Sequence, residues 1–266
     1  MMKILRYKED IIPVCYVLMI SVIDFYAWKF LDHLQALLVA IVSLLFFKQS
    51  VIAYYHHVSH HPIFFSKRFE YAFHQLCCMS TLQPPYAWVS YHNIGHHKDN
   101  VHMDQEKDLF AWKVNGNRLS HIEYSLYHTL KAYPHAFIGC KDKPTLRKKI
   151  IAGIAIHILL LCLLAYFDPI NTFIVYFVPQ IICFWGTMYA SYWHHVDLEP
   201  KNVYESCRNN LNRWYNLTTW NLGYHTAHHF SQGTHWSKLP ELHKQIEHLI
   251  PKELVTTKPT SKFWSV

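Results

Sequence analysis

The chain has 266 residues, 51% of them apolar, and a formal charge of +7. The apolar residues stand in runs, not in the scatter of a soluble domain, so the surplus of cations points to a membrane surface and away from nucleic acid as partner. The seven cysteines include no C-x-x-C pair and suggest no disulfide framework, which fits a reduced compartment and argues against cysteine as a metal ligand.

Lys3, Arg6 and Lys8 precede the first apolar stretch, residues 11–31, which Asp24 interrupts. No small-residue cleavage site follows it, so it reads as a membrane span and not as a signal peptide. A second stretch covers 34–55, with Lys48 near its end; a third covers 150–167 and a fourth 170–190. Each approaches the ~20 residues that a helix needs to cross the hydrocarbon core. Only a few residues around Asp32-His33 and Asp168-Pro169 separate the members of each pair, which predicts two tight hairpins. The expected fold is an all-α membrane protein, a single domain over 1–266. Its four transmembrane helices carry a helical cap formed by 56–149 and 191–254, followed by a tail from 255 to 266.

Charge predicts the orientation. Lys and Arg number 3 before the first span, 13 from Lys48 through Lys149 and 8 after residue 190, leaving only Lys29 for the opposite side. The positive-inside bias then puts both termini and the cap in the cytoplasm, as a multi-pass integral membrane protein.

Histidines gather on that same side. The first cluster is Tyr55-His56-His57-Val58-Ser59-His60-His61 and the second is His92-Asn93-Ile94-Gly95-His96-His97. The third is His225-Thr226-Ala227-His228-His229, with the pair His194-His195 before it. Residues three or four apart share a helix face, so each cluster can aim two rings in one direction. In the first, His56 with His60, His57 with His61 and His56 with His61 remain alternatives. His157, inside the third span, reads as a packing residue, like the other scattered histidines. So many imidazoles exceed the capacity of one ion, and a structural zinc site would usually include cysteine. Two ions are the natural count. Imidazole suits iron as well as zinc, copper or nickel, and iron fits two-electron oxidation.

The pattern H-x3-H, H-x3-HH and H-x2-HH, with a histidine before the last cluster, resembles the integral-membrane fatty acid desaturase and hydroxylase superfamily. Flanking residues match as well: Pro84, Pro85 and Trp88 before the second cluster and Asp104 after it, Asn221-Leu222-Gly223-Tyr224 into the third, and Trp236 with Leu239-Pro240 beyond. Ser191-Tyr192-Trp193-His194-His195 is similar to the family's segment for the outlying ligand, with serine where asparagine is usual and His195 matching the ligand. The resemblance implies a non-haem di-iron centre, with two Fe ions and O2 as co-substrate. It would be ligated by His56, His60, His61, His92, His96, His97, His195, His225, His228 and His229. Asp99, Asp104, Asp108 and Asp197 are candidates to orient ligand rings, and Asn93 and Asn221 to hold a ring or a water.

Desaturation of an acyl-lipid or acyl-thioester is the expected reaction, since N-x-G-Y-H-x-x-HH followed by W-x-x-L-P looks most like that branch. Hydroxylation, or oxidative decarboxylation, is the alternative. A metal transporter would place its site near the bilayer midplane, whereas these clusters lie outside the apolar runs. No haem or iron–sulfur motif is present, so electrons are expected from an external cytochrome b5-like or ferredoxin partner docking on the basic face.

Overall fold

The computed structural model describes residues 4–97 and 107–258. Helices α1 (Ile11–Phe30), α2 (His33–Phe46), α3 (Lys48–His60) and α4 (Lys67–Thr81) come first. A wide-turn π-helix, α5 (Val89–His97), follows, then α6 (His121–Gly139), α7 (Pro144–Phe167) and α8 (Pro169–His195). Three short helices end the order: α9 (Arg213–Thr218), α10 (His225–Phe230) and α11 (Leu239–Ile246). The chain divides into two compact units, Met1–Trp88 with Asp142–Phe184, and Val89–Lys141 with Trp185–Val266.

The first unit holds most of the apolar length. Lys8–Phe30, Pro144–Phe167 and Pro169–His195 are each long and apolar enough to cross a membrane. The pair α2 and α3 makes a fourth candidate span if taken together, but it is bent by 54°. This differs from the continuous span expected over 34–55. Neither proline nor glycine causes the break. Phe47 leaves helical geometry (φ −123°, ψ −43°), and Tyr16 donates its hydroxyl to the Phe47 carbonyl at 3.0 Å. A side chain intruding on the i→i−4 ladder is a recognised cause of such a kink. Beyond it, Lys48 is fully buried with its Nζ 2.7 Å from Asp24 Oδ2. Lys48 therefore neutralises an intramembrane carboxylate and is not a free flanking cation.

The two hairpin turns are built alike and joined. Asp32 caps α2 by accepting from Leu34 and Gln35 N–H, and Asp168 caps α8 by accepting from Asn171 N–H ahead of the helix interior, with Pro169 at its first position. Asn171 Nδ2 donates to the carbonyls of Trp28 (3.1 Å) and Leu31 (3.0 Å), its Oδ1 meets His33 Nδ1 at 2.9 Å, and Trp28 Nε1 donates to Thr172 Oγ1. Ala27, Trp28, Ala36, Val175 and Tyr176 form the core beneath this latch. Elsewhere the helices show apolar side chains outward, Leu159 at 67% and Phe46 at 69% exposure among them. A surface of this kind suits hydrocarbon and not water.

In the second unit a capping box, Ser120 with Glu123, starts α6. Ser90 Oγ on α5 donates to the Ala136 carbonyl of α6 at 2.6 Å. An Asn115-Gly116 hairpin, both residues at positive φ, pairs Lys113–Val114 with Asn117–Arg118. Two residues, Asn209–Asn210, run parallel to Val255–Thr256, and Ala227, Leu239, Ile246 and Ile250 pack the terminal helices together.

Candidate metal centre

The wide turn of α5 sets which histidines meet. A π-turn closes i→i+5 and so brings residues five apart onto one face. His92 Nε2 and His97 Nε2 accordingly approach to 2.9 Å, where a regular α-helix would pair His92 with His96. His96 turns elsewhere, its ring centroid 4.7 Å from His195 and 5.1 Å from His229. Its Nδ1 donates to Asp108 Oδ1 at 2.8 Å, which fixes the tautomer and leaves Nε2 as a buried acceptor with no hydrogen-bond partner among the described residues. Among the described carboxylates, Asp108 meets one of the expected ligand rings. Asp197 is instead paired with Arg118 at 2.6 and 2.7 Å on the surface, where the guanidinium holds its carboxyl below the usual carboxylate range. Asn221 is a turn residue at φ +66° whose Nδ2 donates to the Trp236 carbonyl, and it does not hold a ligand ring. Asp99, Asp104 and His102 lie outside the described residues.

The third cluster is rigidly mounted. Gly223 lets α10 start close against the Asn210 strand: a Cβ there would collide with the Asn210 carbonyl oxygen and press on Asn216 Oδ1. Asn209 clamps the first turn, accepting from Thr226 N at 2.9 Å and donating to Thr226 Oγ1 at 2.8 Å. Adjacent residues on a helix point about 100° apart, so His228 and His229 serve different neighbours. Ring nitrogens of His92, His97 and His228 lie within 4.8 Å of one another, and those of His195, His225 and His229 do so with Cys207 Sγ. The two groups touch, since the His97 and His229 rings stack at 4.2 Å.

Of the doublet ending α8, His195 joins the second group. Its Nδ1 donates to the Ser206 carbonyl at 3.1 Å, and its Nε2 stands 3.3 Å from His225 Nε2. His194 has Nδ1 on the Arg208 carbonyl and Nε2 at the Tyr215 hydroxyl. Burial, with His194 and His229 nearby, holds His225 well below the ordinary imidazole range, in the neutral form that ligates metals.

In the other unit, His56 and His60 share one face of α3 with ring centroids 5.3 Å apart. His61 caps that helix in extended conformation (φ −134°, ψ 131°), so it has left the helical spacing assumed for it. Buried Glu70 anchors the exit from the cluster by accepting from Ile63 and Phe64 N–H. His157 meets Gln180 Oε1 at 3.0 Å, and Gln180 Nε2 donates to the Met79 carbonyl at 2.8 Å, a polar tie between helices.

A buried set of imidazoles in two adjoining groups, one ring oriented by a carboxylate, fits transition-metal ions of the iron type. Cys207 Sγ stands within this group although the scattered cysteines, which carry no motif, argue in sequence against a cysteine ligand. No curated protein and no solved structure gives a match. The family model described as fatty acid desaturase matches residues 32–261, most of the chain. The chain therefore belongs to the fatty acid desaturase family, a family of iron-using membrane oxidoreductases that act on acyl chains.

Proposed function

We propose that the chain desaturates a fatty acyl chain at a di-iron centre, with O2 as co-substrate and electrons from an external carrier. The observation that carries the reading is the sorting of adjacent histidines, His96 from His97 and His228 from His229, toward two touching groups, as two ions require. The ligand set is His92, His96, His97, His195, His225, His228 and His229, completed by His56, His60 and His61 of the first cluster. When bound, two irons supply the activation of O2 needed to remove hydrogen from an unactivated C–H bond.

The chain's own residues position and insulate. Asp108 and the Ser206 carbonyl each hold a ring by its Nδ1–H, so that Nε2 faces inward. Phe110 packs against the His92 and His96 rings at 5.4 and 4.8 Å and keeps water from them. The whole chain acts as one catalytic domain. Its clusters and termini lie in the cytoplasm, a sidedness supported by the cation distribution, and a cytochrome b5-like or ferredoxin donor docks on that basic face.

The test is expression of the full chain in a host without acyl desaturases, followed by fatty-acid analysis, beside His96→Ala and His228→Ala. A new double bond, absent with either variant, is expected. A hydroxylated product would replace desaturation by hydroxylation. An unchanged lipid profile, together with a purified protein that binds no iron, would remove the reading.

A further inference from the structure

Cys207 lies in a segment built to hold its neighbours still. Before it, the Ser206 carbonyl accepts from His195 Nδ1. After it, Arg208 N–H donates to the His194 carbonyl at 2.9 Å and the Arg208 guanidinium to the Val196 carbonyl. Asn209 grips Thr226, and Thr226 Oγ1 donates to the Cys207 carbonyl at 3.3 Å. The segment is thus strapped on one side to the end of α8 and on the other to the start of α10, the two elements that carry His195 and His225. Its thiol is the side chain left facing between them.

The thiol is fully buried, and its sulfur lies within 4.8 Å of ring nitrogens of His195, His225 and His229. Donor atoms sharing one tetrahedral ion are separated by about 3.3–3.5 Å, given metal–nitrogen bonds of about 2.0 Å and metal–sulfur bonds of about 2.3 Å. A small closure of the group completes such a sphere. Ser206 Oγ, 3.2 Å from Sγ, already donates to the Val203 carbonyl, so it stands as acceptor for the thiol proton. Cys77, Cys78 and Cys183 are equally buried, yet among the described residues Cys207 is the cysteine grouped with metal-ligating nitrogens.

We infer that Cys207 is a sulfur ligand of one of the two ions, so that the pair is asymmetric: an all-nitrogen ion on the side of His92, His97 and His228, and a sulfur-bearing ion at His195, His225, His229 and Cys207, beside the His96 ring. This rests on the metal-centre reading above and goes beyond its all-histidine ligand set. Binding releases the thiol proton to solvent or buffer as the metal–sulfur bond forms, with no change in oxidation state. A thiolate is the softer and more electron-rich donor, and it makes the two ions electronically distinct.

The experiment loads the full chain, purified in detergent, with Fe2+ or Co2+ and records metal content, X-ray absorption fine structure and near-ultraviolet charge-transfer absorption. Wild-type protein is expected to show a sulfur shell at about 2.3 Å beside the nitrogen shell, with a sulfur-to-metal band. In Cys207→Ser both signals disappear while most of the metal stays bound, and Cys78→Ser leaves both intact. Two metals per chain with only nitrogen and oxygen neighbours in the wild type would overturn the Cys207 ligand and leave the histidine centre standing. Metal that does not bind, or that binds equally well in His228→Ala, would overturn the centre and this inference together. The wild-type spectrum decides the matter even where Cys207→Ser fails to fold.

Discussion

Asp108 Oδ1 accepts two hydrogen bonds at 2.8 Å, one from His96 Nδ1 and one from Phe110 N–H. The backbone bond anchors the carboxylate, and the carboxylate in turn fixes the ring, so His96 cannot flip without losing a buried charge-assisted partner. Asp108→Asn keeps the shape and removes the charge. It is expected to lower metal affinity about 10–100-fold, as such partners of ligand histidines do elsewhere. Iron titration of the variant reads this directly; unaltered affinity would mean that Asp108 serves only the fold.

Lys48 and Asp24 are 0% and 1% exposed, and neither has a way to water. Removing one partner strands the other, at a cost of about 3–5 kcal/mol, whereas replacing both with apolar residues of similar size costs little. Lys48→Met should therefore unfold far more readily in detergent than Lys48→Met with Asp24→Leu. Equal losses in the single and double variants would show that the pair contributes nothing through its charges.

His128 accepts from the Tyr91 hydroxyl at Nδ1 and donates from Nε2 to the Ala111 carbonyl. Burial pushes its pKa down to about 4, with the Ala111 carbonyl opposing that shift. The unfolded chain takes up a proton near the ordinary histidine value while the folded chain stays neutral. Stability is thus full above the unfolded pKa of about 6.5 and declines as pH falls toward 4, by about 2 kcal/mol between pH 7 and pH 5. His128→Gln, which can still accept and donate, should flatten that slope in unfolding measurements. An unchanged slope would place the pH sensitivity in other groups.

Gly223→Ala puts a methyl group on the Asn210 carbonyl, whereas Gly233→Ala enters open space. The first is expected to cost about 1–3 kcal/mol or more and to displace the third cluster, with loss of bound metal; the second is expected to be near neutral. Comparable stability and metal content in the two variants would contradict the close approach.

Apolar runs and histidine spacing make much of this protein legible in its amino-acid sequence. The runs over 11–31, 150–167 and 170–190 correspond to helices long enough to cross a membrane, because bulk hydropathy is a local property of the chain. What the sequence hides depends on partners distant along it. The break at Phe47 follows from a hydroxyl on α1, 31 residues away, and so has no signature within 34–55. The pairing of His92 with His97 in place of His96 follows from a wide turn that composition does not announce. Asp197 and Asp108 are alike in sequence, both aspartates near clusters; Arg118, far upstream, claims the former. Cys207 stands in no motif, although a single thiol needs only a place beside the right nitrogens.

The Asn171 latch carries a consequence for how the protein is made. Trp28, Leu31 and His33 emerge from the ribosome 138 to 144 residues ahead of the side chains that complete their hydrogen bonds. Throughout that interval the first hairpin sits in the bilayer with its turn unfinished, and the α7–α8 hairpin must slide in beside it before either turn is sealed. Assembly in the membrane thus waits on the second hairpin, and a chain arrested before Asn171 keeps the Asp32 cap of its first turn but lacks the ties to the second.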